Sequence, residues 1–150
     1  MNKTTETNAA WAESAQGKNS GLTWIRGGDA FIVVTEKDGW RHAYVYSRGG
    51  KNETLLTKRD YDVIDRAVID ERGGWYYFYA SPENGTQRYL YRVPLDGSGK
   101  LHRITPDDAF GTHGYQFSPD FRWAIHTRST LNTPPVHELI EVATHRVVQR

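Results

Sequence analysis

One pattern recurs three times along this chain of 150 residues. In the first copy a short apolar piece at 22–25 turns at RGGD (26–29). It continues through FIVVT (31–35), a turn at EKDG (36–39), the alternating run HAYVY (42–46), a turn at RGGK (48–51) and ETLLT (53–57). The second copy keeps that order with 63–69, DERGG (70–74), WYYFY (75–79), SPENG (81–85), RYLYRV (88–93), DGSG (96–99) and LHRIT (101–105). The third reads GYQF (114–117), SPD (118–120), WAIHT (123–127), LNTPP (131–135), HELIEV (137–142) and RVV (146–148). Each copy predicts four short strands, because its β-branched and aromatic runs are bounded by Gly, Pro, Asp and Asn clusters that supply the backbone angles of a reversal. Thr57 and Thr105 stand 48 residues apart, and Tyr44, Tyr91 and Ile140 follow one another at 47 and 49. A four-stranded propeller blade takes about 40 to 50 residues.

The fold class this predicts is all-β: a partial β-propeller of about three four-stranded antiparallel blades, with repeats at about 22–57, 63–105 and 113–149. Residues 1–21, polar and rich in Thr, Asn and Ala, are expected to be a poorly ordered tail with Trp11 as its one anchor. A sandwich or barrel of about twelve strands would use the same turns. It has no reason to repeat a four-strand unit, whereas blades pack on near copies of themselves. Propellers close with about four to eight blades. The outer faces of three are therefore expected to be apolar and to be covered by further blades or further copies.

Composition narrows the partners. Nineteen Lys plus Arg oppose eighteen Asp plus Glu, for a net charge of +1 with the signs interspersed, which argues against nucleic acid and against an anionic membrane surface. The absence of cysteine excludes a disulfide scaffold, a thiolate metal site and a cysteine nucleophile. The first twenty residues hold no apolar run that a secretory signal needs, and no stretch approaches the roughly 20 residues of a membrane span, so the chain as written is expected to be soluble, without an export signal.

Residues 35–46, TEKDGWRHAYVY, resemble the "S-E-x-D-G-W-x-H-L-Y" hairpin in the propeller domain of the dipeptidyl peptidase IV family of prolyl-specific serine peptidases. Further pieces follow in that family's order. LLT (55–57) is similar to its closing strand, YYFYA (76–80) to its "Y-F-x-A/S" strand, RYLYRVPLDG (88–97) to its "H-L-Y-R-V-x-L-D-G", and HGYQFSPD (113–120) to its "F-S-P-D". Pro134-Pro135 stands where the family often has Pro-Pro before the next strand. Thr35 replaces the usual Ser, Ala43 the usual Leu, and Phe121 a small residue, all conservative for packing. The resemblance covers roughly 22 to 149 and implies the last part of the N-terminal propeller, ahead of the hydrolase domain. The motif residues it marks, expected to be structural, are Glu36, Asp38, Gly39, Trp40, His42, Tyr44, Tyr91, Asp96, Gly97, Ser118, Pro119 and Asp120.

Catalysis in that family needs a serine on a G-x-S-x-G elbow with Asp and His in an α/β-hydrolase domain. Ser98, in DGSGK (96–100), comes nearest, yet has Asp rather than Gly two residues before it and Lys two after, and reads as a hairpin turn. No catalytic residue is assigned. The family's Glu pair and Arg that grip a substrate's amino terminus lie upstream of the matched region, so no substrate-binding residue is carried over. His42, His102, His113, His126, His137 and His145 lack the close pairs of a metal-ligand set, so no metal or cofactor is expected and structural or exposed roles are favoured. His42 is expected to bond turn backbone beside Trp40. The pairs Asp107-Asp108 and Asp60/Asp62 read as solvated turn carboxylates, and the sequons at Asn2, Asn52 and Asn84 matter only in a glycosylating pathway.

The function expected is thus a non-catalytic propeller segment of a serine exopeptidase that releases N-terminal dipeptides. Its partners would be the remaining blades and the α/β-hydrolase domain; members of that family are often periplasmic or extracellular. The alternatives are a free-standing propeller module that closes by self-association, and a scaffold fragment of the TolB or WD type.

Overall fold

The computed structural model describes residues 22–82 and 85–150. The tail at 1–21, with Trp11 and the sequon at Asn2, and the sequon at Asn84 lie outside the described residues. The first sheet holds β1 (Thr23–Ile25), β2 (Ala30–Thr35), β3 (His42–Ser47) and β4 (Glu53–Leu55), with a 3-10 turn at Arg26–Gly28 between the first two. The second holds β5 (Val63–Asp70), β6 (Trp75–Ala80), β7 (Tyr89–Pro94) and β8 (His102–Arg103). The third holds β9 (Thr112–Phe117), β10 (Trp123–Thr130), β11 (Thr133–Glu141) and β12 (Arg146–Gln149). Within each sheet every strand pairs antiparallel with its sequence neighbour, and the three sheets form a partial all-β propeller.

Period-two alternation decides how these sheets stack, because successive side chains leave opposite faces. On β6, Tyr76, Phe78 and Ala80 enter one core with Ile32, Ala43 and Val45 of the first sheet. Tyr77 and Tyr79 enter the other with Ala124, Ile140 and Val142 around the third sheet. A strand buried on both faces reads as a continuous apolar run, which is why WYYFYA shows no polar alternation. The side of the first sheet turned away from the second carries Phe31, Tyr44 and Tyr46, all buried, with Phe31 stacked on Tyr46 at 5.4 Å and Trp24 edge-on to Phe31. On the third sheet the outward side sets half-exposed Ile125 and Leu139 among Gln116, Thr127 and His137.

The repeat extends to individual hydrogen bonds. Arg48 N–H donates to the Asp29 carbonyl at 2.8 Å, Leu95 N–H to Gly74 at 2.9 Å, and Val142 N–H to Arg122 at 2.9 Å, each lengthening a central hairpin by one rung. Val63 N–H donates to Arg41 (2.7 Å) and His113 N–H to Arg88 (3.0 Å), which ties the first strand of each new sheet to the sheet before it. Where β4 and β8 leave the ladder, a threonine side chain takes over. Thr57 Oγ1 accepts from Ala43 N–H at 3.0 Å and Thr105 Oγ1 from Leu90 N–H at 2.9 Å, while the two carbonyls accept from Leu56 (2.9 Å) and Ile104 (2.8 Å). Both threonines are fully buried, so losing the hydroxyl strands a backbone donor away from water. Thr57→Val and Thr105→Val are each expected to cost about 1–3 kcal/mol in denaturant unfolding, with Ser at either site retaining most of the stability. Unchanged unfolding midpoints in the Val variants would contradict that role.

Candidate functional site

The hairpin between β2 and β3 assembles around one carboxylate. Gly39 takes φ +92 and donates its N–H to the Glu36 carbonyl at 3.0 Å, which closes the turn. Asp38 Oδ1 accepts from the backbone N–H of Trp40 at 3.3 Å, an Asx turn. Its Oδ2 accepts from the Tyr44 hydroxyl at 2.7 Å and sits 2.8 Å from His42 Nδ1. His42 Nε2 lies 2.7 Å from the Arg59 carbonyl. His42 therefore bonds a side chain and a distant carbonyl rather than the backbone beside Trp40, because Asp38 Oδ1 already takes the Trp40 N–H. Burial raises the Asp38 carboxyl, but the bonds from His42, Tyr44 and Trp40 outweigh it and hold the group below its ordinary value. With both ring nitrogens capped by oxygens and the ring almost wholly buried, His42 offers no free nitrogen to a substrate. Lys37 completes this side of the sheet: it pairs with Glu53, donates to the Tyr46 hydroxyl at 2.9 Å, and lies 4.0 Å from the centre of the Tyr44 ring.

The other motif residues build turns of the same kind. Asp96 Oδ1 accepts from the backbone N–H of Ser98 at 2.9 Å and from its hydroxyl at 2.6 Å, so Ser98 spends its hydroxyl inside its own turn. Gly97 has φ +71, and a Cβ there would stand 2.3 Å from Thr54 Cγ2 of the first sheet, so this turn seats the second sheet against the first. Asp120 Oδ1 accepts from Arg122 N–H (3.1 Å) and from the Ser118 hydroxyl, whose oxygen also accepts from Trp123 N–H at 3.0 Å. Pro119 lies within this loop, which bends at Phe121, φ +57. Tyr91 is buried against Phe78, ring centres 6.0 Å apart.

A second polar group forms where sequence spacing predicts none. His113 on β9, His126 on β10 and His145 in the turn before β12 converge. His113 Nδ1 lies 2.8 Å from His126 Nε2 with the rings stacked, and His113 Nε2 lies 3.0 Å from the Ala109 carbonyl. His145 Nε2 lies 2.8 Å from the Tyr115 hydroxyl, which lies 3.0 Å from Thr105 Oγ1. Tyr115 N–H in turn donates to the Tyr79 hydroxyl at 2.8 Å. Burial pushes His113 and His126 down to about 4, His113 further lowered by His126 and His126 by His145, and burial lowers His145 as well. Antiparallel pairing of β9 with β10 sets Tyr115 opposite His126, and β11 sets Glu138 opposite His126 on its other side. The one signal available beforehand is that both histidines fall on inward-facing strand positions. His102 packs edge-on to Trp75 and His137 sits 3.0 Å from Thr127 Oγ1, both away from this group. Among the described residues no three His, Asp or Glu side chains are arranged to hold a metal ion.

Comparison with known proteins follows the same architecture. The family model described as "Dipeptidyl peptidase IV (DPP IV) N-terminal region" matches residues 1–135, so the match starts ahead of residue 22, where the motifs place the beginning of the resemblance. A probable dipeptidyl-aminopeptidase B of Aspergillus clavatus is 34% identical over 119 residues, 78% of this chain and 13% of that protein. One from Coccidioides posadasii is 33% identical over 99 residues, 65% of this chain and 11% of that protein. The crystal structure of Porphyromonas gingivalis dipeptidyl peptidase 4 superposes with a TM-score of 0.72 at 25% identity, covering 85% of this chain and 17% of that one. The chain thus spans between a tenth and a fifth of the length of these relatives.

Proposed function

The chain belongs to the dipeptidyl peptidase IV N-terminal region family, and on that premise we propose that it works as a non-catalytic block of propeller blades in a serine exopeptidase that releases N-terminal dipeptides. The reading rests on one observation above the others: three sheets joined by equivalent hydrogen bonds at equivalent positions, which is how blades are made and not how a hydrolase site is made. In this reading Asp38, Asp96 and Asp120 hold the turns that fix strand register, and the Asp38–His42–Tyr44 group locks the first blade. The ring they help to build governs peptide access to a buried active site supplied by an α/β-hydrolase domain. Ser98, the serine nearest in sequence to an elbow, donates to its own turn and has no histidine on its hydroxyl.

The chain is expected to give no hydrolysis of a Gly-Pro chromogenic substrate above a buffer control. Turnover that survives repurification would end the proposal. A second reading, self-association as a free-standing module, draws on the exposed Val147 and Val148 of β12, an edge strand of the third sheet. A single defined oligomer by light scattering at micromolar concentration would favour it.

A further inference from the structure

The histidine group between the second and third sheets is held by two chains of hydrogen bonds. The Ala109 carbonyl can only accept, so His113 Nε2 carries the proton and Nδ1 is a lone pair. His126 Nε2–H therefore donates to His113 Nδ1, which leaves the buried Nδ1 of His126 as a lone pair without a hydrogen-bond partner. The second chain starts from Leu90 N–H, which can only donate. Thr105 Oγ1 accepts it, the Thr105 and Tyr115 hydroxyls share a hydrogen bond that either can donate, and the Tyr115 hydroxyl meets His145 Nε2. Both chains run from the second sheet or its connection into the third, so they stitch the two sheets together. His113 and His126 are both neutral in this arrangement.

We propose that this seam is an acid-sensitive latch: the neutral His113–His126 pair holds the third sheet on the second, and protonation of both rings loosens it. A proton on His113 Nδ1 places an N–H against the N–H of His126 and so removes that bond of the seam. The surroundings oppose that charge on most sides. Arg128 comes from β10 and Arg103 lies over the Tyr89 ring on the second-sheet side, where Tyr79 also faces the group. Glu138 on β11 lies 3.4 Å from His126 Nδ1 and favours a first proton there. Arg150 already engages Glu138 at 2.7 Å, and Asp108 lines the same cavity from the connecting loop. One proton at His126 is thus tolerated, and the second, on His113, breaks the stitching.

The test is residue-resolved amide exchange of the full chain from pH 7.5 to 5, corrected for intrinsic rates. Protection at Leu90, Ile104 and His113 is expected to fall by at least about tenfold, while that at Ile32 and Val45 in the first sheet holds. An equal fall in both sheets, or none, overturns the latch. Imidazole resonances supply a second measurement that needs no variant: His113 and His126 are expected to titrate below pH 5, and midpoints near 6.5 would overturn the proposal. His126→Asn is expected to flatten the pH dependence of exchange at Leu90, and an undiminished dependence in the folded variant counts against it.

Discussion

Replacing Phe78 with Ala is expected to remove about 3–5 kcal/mol of folding stability, a large part of the 5–15 kcal/mol that single domains usually have. Phe78 is fully buried in the core between the first and second sheets, with Tyr76 at 5.7 Å, Tyr91 at 6.0 Å and Tyr61 stacked at 6.2 Å with planes 5° apart. Alanine leaves a void lined by rings that are anchored on two different strands and on the segment between the sheets, so they cannot all close on it. Tyr61 sits in that segment, and its N–H is taken by the Arg59 carbonyl at 2.9 Å, whose oxygen also receives His42. The damage therefore reaches the hairpin of the first sheet. Phe78→Leu, which refills most of the volume, is expected to cost less than half as much. A denaturant titration showing equal midpoints for Phe78→Ala and the parent chain would refute this account of the first seam.

Acidification is the second large effect. His113 and His126 bind protons more weakly in the folded chain, at about 4, than at the ordinary histidine value of 6.5, so the unfolded chain holds more protons between those limits. Stability is full above about 6.5 and falls as the pH drops towards 4. Each histidine contributes roughly 3 kcal/mol over that whole interval, at about 1.4 kcal/mol per pH unit. The window separates this loss from that of the carboxylates. Glu53, Asp96 and Asp120 are held below their ordinary values by hydrogen bonds from Lys37, Ser98 and Ser118, so their contributions are lost only at lower pH. Thermal melts at pH 7.5, 6.5, 5.5 and 4.5 are expected to show a progressive fall in Tm. A flat profile down to pH 4.5 would mean that the two histidines are not neutral, buried groups in the folded chain.

Much of the fold was legible beforehand because strand propellers advertise themselves twice, once through turn residues and once through repetition. The recurrence of Tyr44, Tyr91 and Ile140 marked positions that do share one face of their sheets, the face on the side of the preceding blade. Thr57 and Thr105 looked like ordinary strand ends. Their matched spacing was visible, but the job of finishing a ladder with a hydroxyl was not, because it depends on where the neighbouring strand departs. The turn residues Asp38, Asp96 and Asp120 were equally legible, since an Asx turn is built within three residues. His42 lies in the hairpin expected of it but meets other partners, because the Arg59 carbonyl stands seventeen residues further on, beyond β4.

What the sequence by itself determined is therefore everything that acts over short range: strands from alternating or doubly buried apolar runs, reversals from Gly, Pro, Asp and Asn, and the blade as the repeating unit. The tertiary structure alone decided which polar side chains meet. His113, His126 and His145 are 13 and 19 residues apart, and neither interval is a period of any local structure. They converge because antiparallel pairing folds β9 against β10 and the turn before β12 back over both, with the second sheet packed against them. Burial makes that meeting consequential, since a lone pair or a proton in a closed seam has no solvent to exchange for a lost bond.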